Sequence, residues 1–255
     1  MERERRWEIA ERIDRAMQPG SLETAFQPIA SLRTGHLIGL EALSRFQLDP
    51  PQRPDLWFAD AAAVGMRVNL ELRAVETALA HLRRIPAPAY LAVNVSPDAA
   101  VSPRLFHLLA NVADRIVLEL TEHTEVADYA ALNRSLQSLR DRGARVAIDD
   151  AGAGFASFRH VLLLTPEIIK LDTSLTRGID SDRARRSLAS ALISFASEIG
   201  ATVVAEGIEM RDELDILRSL GVRHGQGYHL APPAPLGAGV ASAHLRIPID
   251  TGPAA

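Results

Sequence analysis

The sequence predicts a (β/α)8, TIM-type barrel, an α/β fold in which one antiparallel strand stands near the N-terminus. Three observations carry this. The chain has 255 residues, close to the roughly 250 of such barrels. Short apolar runs alternate with segments of helical period along nearly all of it. Most of these runs are continuously apolar, as in parallel strands buried on both faces. An open doubly wound sheet is the competing fold, but no G-x-G-x-x-G opens the first helix and no P-loop is present.

The elements follow in order. Trp7, Ile9, Ile13 and Met17 mark a first helix among charges, stopped by "QPG" at 18–20. "TAFQPIASL" and "HLIGLEALSRF" read as two strands joined by a tight "RTG" turn, hence an antiparallel hairpin. After the "PPQRP" loop come helices at "LWFADAAAVG" and "VNLELRAVETALAHLRR". Then strand and helix alternate: "AYLAVNVS", "PRLFHLLANVA" with Pro103 in its first turn, "RIVLELTE", and "VADYAALNRSLQSLRDRG" stopped by Gly143. "ARVAIDD", "FASFRHVLLL", "EIIKLD", "DRARRSLASALISFASEIG", "ATVVAEG", "MRDELDILRSLG" and "VRHGQGYHL" continue the pattern, and a last helix is expected from Pro235. The organisation expected is an N-terminal helix over 1–20, either a native start or the remnant of a linker to an upstream sensory module. One barrel domain over 21–247 and a flexible tail over 248–255 follow.

Composition narrows the chemistry. There are no cysteines, which removes disulfides and thiolate ligands. The net charge of −4 argues against a DNA-binding role. The charged N-terminus is no signal peptide, and no apolar run approaches the roughly 18 residues of a membrane helix. A soluble, cytoplasmic protein with no membrane partner is expected.

Barrel enzymes place catalytic groups at the C-terminal ends of strands. Those ends carry Glu41 and Arg45, Asn94, Glu119 and Glu122, Asp149 and Asp150, Lys170 and Asp172, Glu206 and Glu209, and Gln226. Singly, each has a plain structural reading as a cap, a turn residue or a solvated charge. Collectively they are harder to explain so, because Glu119 stands between Leu118 and Leu120, and Lys170 between Ile169 and Leu171. Charges in such runs go inside only when paired or metal-bound. Converging carboxylates need cations. Carboxylates with an amide suit Mg²⁺ or Mn²⁺, with Ca²⁺ possible, whereas the scattered histidines offer no zinc spacing. Two such ions would clamp a phosphate and activate water. Lys170 could orient that water, and Arg45 could grip a phosphate.

These residues resemble those of the EAL-domain phosphodiesterases. The matching blocks run in family order: "FQPI", "EALSRF" with Glu41-Ala42-Leu43, "VNVSP", "LELTE", "DDAGAGF", "IIKLD", "AEGIE" and "QGYHLAPP". The resemblance implies a barrel that hydrolyses cyclic di-GMP to linear pGpG by two-metal-activated water attack, using Mg²⁺ or Mn²⁺, with Ca²⁺ binding and inhibiting. It implies Glu41, Asn94, Glu119 and Asp149 as ligands of one metal, and Asp149, Asp150 and Glu206 as ligands of the second. Lys170 would orient the water, with Glu206 and Glu209 also in the catalytic set. Arg45, Leu43 and Gln226 would contact substrate, Glu122 would anchor the loop after the double Asp, and the protein would be a homodimer.

One loop departs from the family. Where Phe-Gly-Thr-Gly is common, this chain has Ala151-Gly152-Ala153-Gly154, a change expected to bear on regulation and rate rather than on ligands. The alternative function is a receptor that binds the nucleotide without hydrolysis. A two-carboxylate glycosidase does not explain Asn94, Lys170 and the double Asp together.

Overall fold

The computed structural model describes residues 2–120, 126–151 and 156–237. Among these, eight strands close a barrel in chain order: β1 (Leu22–Ser31), β2 (Leu37–Phe46), β3 (Tyr90–Val95), β4 (Ile116–Leu120), β5 (Arg145–Ala151), β6 (Ile168–Leu171), β7 (Thr202–Ala205) and β8 (His224–Gly225). β1 runs antiparallel to both neighbours, β2 and β8, and all other pairs are parallel. The hairpin turn that begins at Leu32 sets this reversal, and closure rules out the open doubly wound sheet.

Helices coat the barrel: α1 (Glu2–Ala16), α2 (Pro54–Ala63), α3 (Arg67–Leu79), α4 (Pro97–Ala100), α5 (Pro103–Leu109), α6 (Tyr129–Arg140), α7 (Ala156–Leu164), α8 (Thr173–Thr176), α9 (Arg183–Glu198) and α10 (Arg211–Ser219). The four-residue α4 and α8 have no counterpart in the sequence pattern, being too short to show a period. Each is instead fixed by its cap: Ser96 Oγ accepts from Ala99 N, and Asp172 Oδ1 from Ser174 N. α1 is packed into the fold. Ile13 and Ala16 are fully buried with Trp57, Ala61 and Leu70, and Arg12 lies over the Trp57 ring and pairs with Asp60. Trp7, expected on the same apolar stripe, is 66% exposed. The last strand contracts to His224–Gly225. Ala234 forms a bridge to Phe26, and the helix expected near Pro235 falls outside the described residues beyond position 237. The expected tail over 248–255 lies outside them.

Strand periodicity separates two cores. Ile29, Tyr90, Ala92, Val117, Ala147, Ile168 and Val204 fill the barrel, while their strand neighbours Leu91, Val93, Leu118, Val146, Ile148, Ile169 and Val203 face the helices. The Tyr90 ring occupies the space that a side chain on Gly39 would need: a Cβ there would sit 2.5 Å from it. Arg145 covers the same ring at 4.6 Å. Gly39→Ala is therefore expected to overpack the barrel and cost about 1–3 kcal/mol, seen as a lower urea midpoint. An unchanged midpoint would mean the Tyr90 ring shifts without penalty.

Candidate active site

Two residues further along each strand, the interior turns from apolar to polar. Ala92 is followed by Asn94, Val117 by Glu119, Ala147 by Asp149, Ile168 by Lys170 and Val204 by Glu206. Glu41 follows Gly39, Gln226 follows His224, and on the reversed β1 Gln27 stands beside Glu41 in register. Asn94 and Glu119 are likewise register partners. One ring of polar groups thus sits on an apolar plug, at the end where parallel strands finish.

Lys170, 1% exposed, is the hub of that ring. Its Nζ lies 2.9 Å from Glu206 Oε1, 3.0 Å from Glu119 Oε2, 3.2 Å from Asp149 Oδ1 and 3.5 Å from Glu41 Oε2. Asn94 donates to Glu41 Oε1 at 3.2 Å. Gln226 Nε2 donates to both Glu41 Oε2 at 2.6 Å and Glu206 Oε1 at 2.8 Å, so one amide ties two carboxylates. Its Oε1 is buried and finds no hydrogen-bond partner among the described residues, leaving an acceptor open to a further donor.

The double Asp is joined to this ring by a local distortion. In a regular strand Asp149 and Asp150 would point to opposite faces. Asp150 has φ of +56°, and the β5–β6 register slips between Ile148 and Ala151. Aspartate tolerates this left-handed conformation better than most residues. Asp150 N donates to Asp149 Oδ1 at 3.0 Å. The outcome is that Asp149, Asp150 and Glu206 each offer an oxygen within 4.8 Å of the others. The turn falls at Asp150 itself, and Ala151 returns to the strand opposite Leu171, buried. Gly152, Ala153 and Gly154 lie outside the described residues, as does Glu122.

Electrostatics explains what the ring lacks. Four carboxylates, Glu41, Glu119, Asp149 and Glu206, share the ammonium of Lys170, and Asp150 stands beside two of them. Burial pushes the Glu119 and Glu206 carboxyls well above their ordinary value, and Lys170 only partly offsets it. Burial also pulls the Lys170 ammonium down, but Asp149, Glu119, Glu206 and Glu41 outweigh it and hold it well above the usual value. Fully ionised, the four carboxylates about Lys170 would carry three negative charges in excess, an imbalance that divalent cations would relieve. An all-oxygen donor set of this kind suits Mg²⁺ or Mn²⁺. Asp149, Asp150 and Glu206 could hold one such ion.

This predicts a pH dependence. The metal-free folded chain keeps protons on Glu119 and Glu206 at pH values where the unfolded chain, with carboxyls near 4.5, has lost them. Stability therefore falls as pH rises above about 4.5 until the folded groups ionise. Asp182, Glu213 and Asp215, held below their usual range, act only below that window. The thermal midpoint of the metal-free protein should drop as pH rises above about 4.5, and Mn²⁺ should flatten that slope while releasing protons. A flat metal-free profile would contradict the burial of these carboxyls.

The remaining expected residues lie apart from the hub. Leu43 and Arg45 line a cleft of about 560 Å³ between the outer face of β2 and β3 and helices α2 and α3, which Asn94 and Asp150 also border. Arg45 is exposed and donates to Ser44 O at 2.9 Å. Glu209 pairs with Arg177 on the loop after β7 and is not among the groups touching Lys170. Asp172 caps α8. Gln27, between Phe26 and Pro28 in an apolar strand, is a further polar residue beside Glu41 that the strand-end pattern does not single out.

Comparison with known proteins decides the family. The EAL domain model matches residues 10–233.

The chain belongs to the EAL domain family.

Cyclic di-GMP phosphodiesterase PA2567 of Pseudomonas aeruginosa is 31% identical over 225 residues, covering 82% of this chain and 38% of that protein. The chain spans only 31%, 28% and 38% of the length of three curated relatives it matches. Among solved structures, the EAL enzyme Bd1971 with cAMP and cyclic di-GMP bound superposes with a TM-score of 0.84 at 26% identity, over 94% of this chain and 69% of that one. The manganese and cyclic di-GMP complex of Klebsiella pneumoniae BlrP1 gives 0.76 at 28% identity, over 86% of this chain and 57% of that one. No helix among the described residues of this EAL domain is long and apolar enough to cross a membrane.

Proposed function

We propose that this EAL domain hydrolyses cyclic di-GMP to linear pGpG. The observation that carries the reading is the ring of four carboxylates about Lys170, with Asp149, Asp150 and Glu206 close enough to share one ion. Family membership and the relatives named cyclic di-GMP phosphodiesterases point the same way. Divalent cations held in the ring would polarise a phosphodiester and lower the pKa of a water molecule. Glu41, Asn94, Glu119 and Asp149 would hold one ion, and Asp149, Asp150 and Glu206 the other. The ammonium of Lys170, in the midst of those ligands, would fix the attacking water by donating to it, while its charge partly offsets the cost of burying the carboxylates. Arg45 and Leu43, on the cleft bordering the ring, would seat the substrate, Arg45 through a phosphate. Gln226 would keep Glu41 and Glu206 turned inward and offer its unused Oε1 to a substrate or water donor. Glu209, on the loop after β7, and Glu122 would complete the proposed set.

The deciding experiment is direct. The protein is incubated with cyclic di-GMP and Mn²⁺ or Mg²⁺, and linear pGpG is followed by chromatography. Metal-dependent pGpG formation, abolished by EDTA, is the expected result. Tight cyclic di-GMP binding with no product under any divalent cation would overturn it in favour of a non-hydrolysing receptor.

A further inference from the structure

Glu213, on the first turn of α10, is 3% exposed and uses both carboxylate oxygens on the backbone of two different loops. Its Oε2 accepts from Glu209 N at 2.9 Å and from Met210 N at 3.0 Å, both on the loop after β7. Its Oε1 accepts from Gly178 N at 2.9 Å, in the connection after β6 and α8. Burial would raise this carboxyl, but the three N–H groups outweigh it and hold it below its usual range.

Two further contacts join the same loops. Arg177 pairs with Glu209. Gly207, at φ of +62°, lies so close to Thr173 that a Cβ would sit 2.4 Å from its Oγ1. The loop after β7 begins at Glu206, whose N donates to Leu171 O of β6 at 3.1 Å. Glu206 is thus tethered to β6 at one side, and Glu213 closes the other side of the same loop onto the chain that leaves β6. β6 carries Lys170, the group that Glu206 must face.

We propose that Glu213 is a positioning residue for the metal centre, stapling the loop that begins at Glu206 to the loop that follows Lys170. The inference rests on the reading of Glu206 as a metal ligand. Outer partners that orient ligands in this way change metal affinity by about 10–100-fold when removed.

Glu213→Gln separates stapling from helix capping. Its amide oxygen can still accept from Glu209 N and Met210 N, which leaves its NH₂ facing Gly178 N, a donor against a donor. Calorimetric titration with Mn²⁺ alone is the primary readout, with the thermal midpoint measured beside it. The expected result for Glu213→Gln is a midpoint within a few degrees of the parent and Mn²⁺ affinity weaker by about tenfold or more. Asp215→Asn, which removes a carboxylate from the exposed side of the same helix, should leave Mn²⁺ affinity unchanged and so controls for charge. Unchanged affinity in Glu213→Gln, or equal weakening in Asp215→Asn, overturns the proposal. So does a parent protein that takes up no Mn²⁺. Weakened Mn²⁺ binding in a parent that makes no pGpG would sustain the positioning role while rejecting the phosphodiesterase reading, so the two failures are distinguishable.

Discussion

Asp149→Asn is expected to lower pGpG formation by about 10³-fold or more at saturating Mn²⁺. Asp149 is the carboxylate common to both proposed ion sites: it lies 3.2 Å from Lys170 Nζ in the ring and shares the 4.8 Å triad with Asp150 and Glu206. Replacing one oxygen with an NH₂ group removes a unit of charge and turns a donor toward the cation. Losing charge stabilisation of several kcal/mol at a two-metal site translates into this scale of rate, since each 1.36 kcal/mol is tenfold. The side chain keeps its volume, so the fold should survive and the thermal midpoint of the metal-free protein should hold or rise, because like-charge repulsion is relieved. Steady-state turnover and Mn²⁺ stoichiometry together check this. Near-parental turnover, or two ions still bound at parental affinity, would show that the bridging assignment is wrong.

Lys170→Met should have the largest effect on stability. The ammonium touches four carboxylates and has 1% exposure. Removing one partner of a buried ionic cluster leaves uncompensated charge, a loss of about 3–5 kcal/mol. The carboxylates can relieve it by taking up protons, so the loss should be largest near pH 8 and shrink toward pH 5. Mn²⁺ supplies the missing positive charge, so it should raise the midpoint of Lys170→Met by more than it raises that of the parent. Turnover should stay low in the variant even with metal, because no other described side chain offers an ammonium at that point. Urea unfolding at two pH values, with and without Mn²⁺, separates these statements. A metal-free variant as stable as the parent at pH 8 would mean the ring does not depend on Lys170 for its charge balance.

The two variants test opposite sides of one charge imbalance. Asp149→Asn reduces the negative excess, whereas Lys170→Met increases it. Opposite shifts in metal-free stability, with loss of turnover in both, would be difficult to obtain from a site that was merely a packed structural cluster.

The barrel was legible because its signals are local and repeated. Runs such as "YLAVNV" and "RIVLEL" announce buried strands, and the tight turn after Ser31 announces the reversed β1. The ring was also legible in outline, since charged residues interrupting apolar runs, like Glu119 and Lys170, have few other places to go. What failed was short or context-bound. α4 and α8 have four residues each and exist through side-chain caps. The bridge of Ala234 to Phe26 joins positions far apart in the chain, a contact that no local pattern contains. Gln27 was readable as a polar residue in an apolar strand, yet its membership of the ring depends on the β1–β2 register.

By itself, then, the sequence determined the fold class and the identity of the ring's charged members, because strand period and residue chemistry are properties of a few consecutive positions. Only the tertiary structure decided how those members meet. The left-handed Asp150 and the slipped β5–β6 register bring two adjacent carboxylates to one site. Lys170 becomes the shared counter-ion of four strands, and Gln226 ties Glu41 to Glu206 across a separation of 185 residues from one and 20 from the other. It also sets Glu209 outward against Arg177 and turns Glu213 inward onto two loops. Those outcomes depend on barrel closure, which juxtaposes strand ends far apart in the chain and fixes their distances to within a hydrogen bond.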